Sequence, residues 1–311
     1  MADLRSLSLR QLRAFAATIR NGSVTAAAQE LCVTPPAVTT QLKILERSVG
    51  APIYTRDRDG LEATPIGLEI LEAANDMDAV VERCRSRIEA LQAGATGAVT
   101  LGVVSTGKYF APRLVAAFMQ AHPNIRVHLS IGNRDDIISG LERRQYDLAI
   151  MGRPPKHIEV AQDTLGDHPY VLVAQPDSWL LDKNEITAQD LAQCTFLTRE
   201  EGSGTRTLMW RFLDRLESDR PFHVYEMGTN ETIKQAVMAG LGVAIISGHT
   251  VHTELAEGKL AAVTAPGLPI TRQWYLIRRA DRDPTNTARV FQEFVLSRRG
   301  DYLPRTPFAD A

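Results

Sequence analysis

Residues 33–43 read VTPPAVTTQLK, a stretch that opens with two prolines and presents threonines and a single cation on its outer face. Thr34 is placed as an N-cap and Pro35 at the first helical position, where a missing N–H costs nothing. Val38, Leu42, Leu45 and Val49 then recur at three- and four-residue spacing as a buried stripe. Gly50 ends the helix, since glycine takes the left-handed conformation freely. Upstream, Leu9, Leu12, Phe15, Ala16 and Ile19 share that spacing and stop at Asn21-Gly22. Ser23 caps a short second helix through Ala26, Ala27, Ala28 and Leu31, whose alanines let helices approach closely, and Cys32-Val33 is the turn into the third. Helix, glycine stop, alanine-rich helix, tight turn and a third helix with a polar outer face form the helix-turn-helix pattern, whose last helix lies in the major groove. A generic three-helix bundle would share the apolar spacing.

The residues after Gly50 favour the helix-turn-helix. Residues 53–56, a Gly60-containing turn, and residues 61–64 read as a hairpin or wing whose Arg56 and Arg58 could reach phosphates. The candidate DNA contacts are therefore Ser23, Thr25, Thr34, Pro35, Pro36, Thr39, Thr40, Lys43, Arg56 and Arg58. The N-terminal amides of the third helix, together with its dipole, are expected to face a phosphate. Thr64-Pro65 starts a long helix to about residue 93, with Leu68, Leu71, Met77, Val80 or Val81, Cys84, Ile88 and Leu91 forming a seam suited to coiled-coil dimerisation. The charge pattern agrees: residues 1–58 hold eight cations against four acids, and residues 59–94 hold three against eight. The expected organisation is a DNA-binding head at 1–64, a linker helix at 65–93 and a further segment at 94–311.

Composition bounds the rest. At 311 residues the chain is long enough for about two domains at ~150 residues each. Hydrophobic residues at 44% and charged residues at 23% are those of an ordinary globular protein, and the net charge of -2 points to no particular partner. No run reaches the ~18 apolar residues of a membrane span, and the N-terminus MADLRSLSLRQ lacks a signal-peptide core, so a cytoplasmic protein without a membrane partner is expected. Cys32, Cys84 and Cys194 have no metal-ligand spacing and fit a reducing compartment.

Beyond the small-residue hinge at 92–97, strand-like and helical runs alternate: 99–104, 109–121, 126–131, 135–144 and 148–151. The pattern restarts near 169–173, passes through 194–197, a helix from about 205 and the run 243–246, and closes with 272–277 and a helix at 284–299. Such alternation predicts a mostly parallel sheet covered by helices. The fold class is α/β with an all-α winged helix-turn-helix head and a two-lobed, periplasmic-binding-protein-like domain. Lobe one takes about 97–164 and 268–300, and lobe two about 165–267. Ligands of open α/β sheets gather at the carboxyl ends of strands, where helix N-termini point free N–H groups. The candidate cleft residues are Ser105, Thr106 and Lys108 at one junction and Arg153 at the next. Thr198, Arg199, Gly202, Ser203 and Thr205 stand opposite, with Thr229 and Asn230 at a further helix start. Lys108, Arg153 and Arg199 favour an anionic, non-covalent ligand.

Three resemblances to catalytic or cofactor motifs fail on mechanism. Gly240-Leu241-Gly242 precedes a strand rather than following one, so it is a turn and not a dinucleotide fingerprint. His249, His252 and Glu254 match no zinc spacing, and no metal is assigned. Gly202-Ser203-Gly204 lacks the rest of a nucleophile elbow, so no catalytic residue is assigned. No cofactor is expected.

The order SLRQLRAF, NGSVTAAAQEL, TPPAVTTQLKILERSVG, PIYTR and LEATPIGLEIL closely resembles the N-terminus of LysR-type transcriptional regulators, and the likeness continues over nearly the whole chain. Many members carry Gln before the Pro-Ala and Arg after the Ser or Thr, where this chain has Pro35 and Thr40, so operator preference does not transfer. Within the family the chain most resembles regulators of Calvin-cycle carbon-fixation operons, which respond to phosphorylated metabolites or NADPH. The resemblance implies a double-stranded DNA operator, a small anionic effector, homodimers or homotetramers that bend DNA, and RNA polymerase as a partner. It implies no enzymatic activity. The competing class is a solute-binding protein or enzyme on the same two-lobed fold, disfavoured by the missing signal peptide and the missing catalytic constellation.

Overall fold

The structure is a computed structural model and describes residues 7–57, 60–92, 97–298 and 300–305. The chain divides into two compact units, residues 1–89 with 142–145, and residues 90–141 with 146–311.

In the first unit, α1 (Leu9–Asn21) opens on a capping box in which Ser8 and Gln11 satisfy each other's backbone amides, and it ends at Gly22 in the left-handed region. Helix α2 (Val24–Glu30) is capped by the Ser23 side chain, which accepts from the Ala26 amide. Helix α3 (Pro35–Val49) ends at Gly50, again left-handed. Phe15, Leu12, Ala27, Val38, Leu42, Leu45 and Ile53 make one dry core. Strands β1 (Tyr54–Asp57) and β2 (Gly60–Ala63) pair antiparallel. Helix α4 (Pro65–Gln92) is started by Thr64, whose hydroxyl donates to the Pro52 carbonyl at 2.9 Å and accepts from the Gly67 amide at 3.0 Å. Its first turns place Ile70 and Ala74 on the head's core, while Leu68, Met77, Val80, Val81 and Ile88 stay exposed. The expected seam thus splits, because Leu71 is half-buried against the head rather than left for a partner.

In the second unit, β3 (Gly97–Val104) pairs parallel with β4 (Ile125–Gly132) and with β5 (Leu148–Met151). The long β6 (Val160–Ala174) and β11 (Ile270–Arg279) pair antiparallel with each other and run from one lobe into the other. In lobe two, β6 also pairs antiparallel with β9 (Ala244–Ser247) and β10 (Ala261–Val263), and β7 (Thr195–Thr198) pairs parallel with β8 (His223–Glu226). Sequence periodicity misses β8 and the first half of β6, because His223–Glu226 is mostly exposed and residues 160–168 interleave polar side chains. The helices are α5 (Ala111–Ala121), α6 (Arg134–Glu142), α7 (Ala188–Leu191), α8 (Gly204–Leu213), α9 (Asn230–Met238), α10 (Gly248–Ala256) and α11 (Asn286–Ser297). The helix expected over 109–121 begins at Ala111, two residues later, because a 3-10 helix, Ser105–Tyr109, precedes α5. Lobe one is built on Val99, Leu101, Phe118, Ile150, Trp274 and Phe291. Lobe two is built on Leu172, Phe196, Met209 and Ile245, with Val171, Ile233 and Ile246 on the sheet's other face.

Gly240-Leu241-Gly242 is the expected turn. Gly240 has φ +79°, and a Cβ on Gly242 would stand 2.2 Å from the Thr195 carbonyl oxygen, so the turn needs both glycines. No helix among the described residues is long and apolar enough to cross a membrane.

Candidate functional site

Each unit carries one candidate site. In the first, α3 shows Thr34, Pro35, Pro36, Thr40 and Lys43 to solvent, with Thr39 half-buried. Thr34 occupies the N-cap with extended backbone, yet its side chain makes no capping bond. Pro36 removes the N2 amide, and the N3 amide of Ala37 goes to the Thr34 carbonyl instead of its hydroxyl. The two prolines also leave few amides at this end. Those of Ala37 and Val38 are taken by the Thr34 carbonyl at 2.9 and 3.2 Å. The expectation that α3 offers free N-terminal amides to a phosphate is therefore corrected. The Thr39 and Thr40 hydroxyls donate to the Pro35 and Pro36 carbonyls at 3.1 and 2.9 Å, so their hydrogens are committed within the helix. Toward solvent the two threonines therefore offer methyl groups and acceptor oxygens rather than free hydrogens, followed by exposed Lys43 and by Ile44, which is 38% exposed. Thr25 is exposed on α2, and the Ser23 hydroxyl is engaged as its cap. Arg56 lies in β1; its side chain and all of Arg58 fall outside the described residues.

In the second unit, a cleft of about 800 Å³ opens between the lobes, floored by the crossing strands. The sequence-predicted Ser105, Thr106, Arg153, Gly202, Ser203 and Thr205 all line it. Lobe one brings Ser105 and Thr106 from the end of β3, and Arg153 from the end of β5. Lobe two brings the glycine-rich loop that leads into α8, with Ser203 as N-cap. Gly202 needs its left-handed φ of +80° for this turn and comes close to Asp135 across the cleft.

Sequence reasoning misses Arg134, Lys156, Arg211 and Arg272, which line the same space. Two of them carry a signal. Arg134 begins the helix after β4, so the strand-end rule that finds Arg153 reaches it, and Arg211 falls on the α8 face of Gly204 and Thr207. Lys156 and Arg272 carry none. Five cations, Arg134, Arg153, Lys156, Arg211 and Arg272, face two carboxylates, Asp135 and Glu201. Among the described residues, Arg153, Lys156, Arg211 and Arg272 have no carboxylate at ion-pair distance, and Arg134 has Asp135 at 3.7 Å. The guanidinium of Arg134 is held below its ordinary pKa by burial; Asp135 opposes this, and Arg153 and Arg211 add to it. Five like charges with so little counter-charge are the arrangement an anion would neutralise. On the floor, burial pushes the Tyr170 phenol up to about 12, countered by Thr205 and Arg272, so it stays a neutral hydrogen-bonding group at physiological pH. His168 stacks on Trp274 at 3.9 Å between ring centroids, and its Nε2 lies 3.0 Å from the Ser247 hydroxyl.

Lys108, Thr198, Arg199, Thr229 and Asn230 do not line this cleft, contrary to expectation. The 3-10 helix turns Lys108 toward Glu231 of α9, 3.7 Å away. Thr198, Arg199 and Asn230 are buried at 3, 4 and 2% exposure. Thr229 caps α9 by accepting from the Thr232 amide at 3.0 Å, and it faces solvent. His249 accepts from the Trp274 indole at 3.0 Å, and no metal-holding cluster occurs among the described residues.

A winged helix-turn-helix joined through a long helix to a two-lobed α/β domain defines a class of DNA-binding transcriptional regulators. Residues 9–68 match the family described as "Bacterial regulatory helix-turn-helix protein, lysR family", and residues 92–300 match "LysR substrate binding domain". The chain belongs to the LysR family and is a transcriptional regulator, not an enzyme. It is 45% identical over 309 residues to the HTH-type transcriptional regulator CbbR of Cereibacter sphaeroides, covering 99% of this chain and 100% of that one. It is 38% identical over 292 residues to the RuBisCO operon transcriptional regulator of Allochromatium vinosum, covering 94 and 96%. The regulatory domain of Synechocystis PCC6803 CcmR, solved in complex with 2-PG, aligns with a TM-score of 0.62 at 32% identity, over 66% of this chain and 98% of that one.

Proposed function

We propose that this regulator controls carbon-fixation genes in response to a small anionic metabolite, of the phosphorylated class, held between the two lobes of the second unit. The observation that carries the ligand class is the set of five cations, Arg134, Arg153, Lys156, Arg211 and Arg272, around a cleft with only two carboxylates. The likeness to regulators of RuBisCO operons supports the choice of genes, and the likeness to a domain solved with 2-PG supports the choice of ligand. In this reading the effector binds without a metal or an organic cofactor.

Helix α3 and the wing engage an operator duplex through Pro36, Thr39, Thr40, Lys43, Arg56 and Arg58, with Ser23, Thr25, Thr34 and Pro35 setting the approach. The committed threonine hydroxyls favour contact through methyl groups, as with thymine. The exposed Leu68, Met77, Val80, Val81 and Ile88 of α4 support pairing of protomers into dimers and tetramers. Paired heads then read a pseudo-palindrome with half-sites on one face of the duplex. The protein works in the cytoplasm, with RNA polymerase as its further partner.

Titration of the purified protein with ribulose bisphosphate, phosphoglycolate and NADPH, followed by thermal melting, tests the ligand class. A rise in Tm with at least one is expected, and no shift with any of them overturns it. Gel shifts on DNA upstream of a neighbouring carbon-fixation operon test the target. Retention of a specific complex is expected, with loss on Lys43→Ala.

A further inference from the structure

Several residues that the fold keeps out of the cleft join Ser105 of its wall in a second polar assembly, which spans the two lobes. Lobe one supplies Ser105, Lys108 and Tyr109 from the 3-10 helix. Lobe two supplies Arg199 from the end of β7, Asn230, Glu231 and Lys234 from α9, and Glu254 from α10. The Tyr109 hydroxyl donates to the Glu231 carboxylate across the gap. The Lys108 ammonium stands 3.7 Å from that carboxylate, and Lys234 stands 3.1 Å from it and 2.7 Å from Glu254. Both ammoniums lie 5.1 Å from the centroid of the Tyr109 ring, so the ring is gripped from both lobes.

A second bond crosses nearby. Arg199 donates through Nη1 to the Ser105 hydroxyl at 3.1 Å and to Asn230 Oδ1 at 2.6 Å, and it is locked by a two-pronged pairing with Glu200 at 2.6 Å on each prong. Ser105 is shared, because it also lines the anion cleft. Tyr109 and Arg199 are thus tied to the cleft by geometry without being part of its wall.

We propose that Tyr109 with Glu231, and Arg199 with Ser105, form a clasp that holds the two lobes in the anion-binding arrangement. The proposal rests on the reading that the cleft binds an anion. Its physical basis is a shift of populations. A ligand that touches both lobes binds only when they are together, so its apparent affinity scales with the fraction of molecules already closed. Bonds that cross between lobes raise that fraction before any ligand arrives. Tyr109 and Glu231 also sustain their bond over a wide pH range. Burial, followed by the Glu231 bond, pushes the phenol far above its ordinary pKa. For Glu231, burial favours the neutral form, but Tyr109, Lys234 and Lys108 outweigh it and hold the carboxyl below its usual range.

A double-mutant cycle on the full-length protein separates a clasp from ordinary packing. Tyr109→Phe keeps the ring and removes only the hydroxyl, while Glu231→Ala removes its acceptor. Hydrogen exchange without ligand is expected to accelerate about tenfold in both Ser105–Tyr109 and the first turn of α9 for either variant. The double variant should exchange no faster than Glu231→Ala alone, which already loses the Tyr109 bond together with the Lys108 and Lys234 pairs. Phosphoglycolate affinity, by calorimetry, should weaken by a similar factor, and Glu231→Gln, which still accepts from Tyr109, should recover part of it. Exchange that changes only in the segment carrying the substitution, or effects that add in the double variant, would overturn the clasp. Should wild type bind no phosphoglycolate, the affinity arm uses whichever of ribulose bisphosphate and NADPH raises the Tm; if none of the three binds, the anion reading fails, and the exchange data alone still decide whether the lobes are clasped.

Discussion

Arg134 shows how the cleft is charged at the level of single residues. Its guanidinium is half-buried and is repelled by the charges of Arg153 and Arg211, with Asp135 as its only near counter-charge among the described residues. Arg153→Ala should therefore weaken anion binding about tenfold, or about 1.4 kcal/mol, while leaving the Tm of the ligand-free protein unchanged or slightly higher. Calorimetry and thermal melting on one preparation check both signs. His249 gives a second prediction. Burial, and then His252, lowers its pKa to about 4 against Asp167. A folded value below the unfolded one of about 6.5 means that the neutral ring stabilises the fold above that pH and that this contribution is lost as pH falls toward 4. The loss amounts to roughly 3 kcal/mol. Buried His168, whose pKa burial and His249 also lower, adds in the same sense. Urea melts at pH 7.5 and 4.5 should show the drop, and His249→Gln, which can still accept from Trp274, should flatten it.

At the level of elements, helix starts decide what each surface can offer. Two prolines open α3 without strain, and the same prolines withhold the amides that would have met a phosphate. Pro35-Pro36 is a reliable signal for a helix start and a misleading one for an anion site. Helix α4 depends on close approach in its first turn. A Cβ on Gly67 would stand 1.8 Å from the Ile53 carbonyl oxygen, a backbone atom that cannot move without shifting the strand after it. Gly67→Ala should destabilise the N-terminal unit by about 3 kcal/mol or more and abolish operator binding, while phosphoglycolate binding to the second unit persists. Gel shifts beside calorimetry on the same variant read the two effects separately. In the second unit, β8 escapes detection because an exposed four-residue strand leaves no buried face to impose alternation.

For the whole molecule, a regulator with a DNA site in one unit and an anion cleft in the other is bound by linkage. If an anion changes operator affinity by some factor, operator DNA must change anion affinity by the same factor. Gel shifts with and without phosphoglycolate, and calorimetry with and without an operator duplex, should return equal factors, and coupling in only one direction would contradict a two-site equilibrium. The helix-turn-helix, the hairpin, the long helix and the two α/β lobes are legible in the amino-acid order, because caps, glycine stops and apolar periods act over a few residues. So are the strand ends that hold Ser105, Thr106, Arg153 and Ser203. The expected mostly parallel sheet is instead mixed, since β6 and β11 cross it antiparallel to their neighbours. Which charges share a space is settled only by tertiary packing. Arg272 is only the start of a strand-like run until β11 crosses beneath the cleft, and Lys108 and Arg199 read as anion ligands until the 3-10 helix and α9 turn them toward Glu231, Ser105 and Asn230. Electrostatic partners are chosen by distance in space, and residues far apart in the chain meet only after strands have crossed and helices have packed.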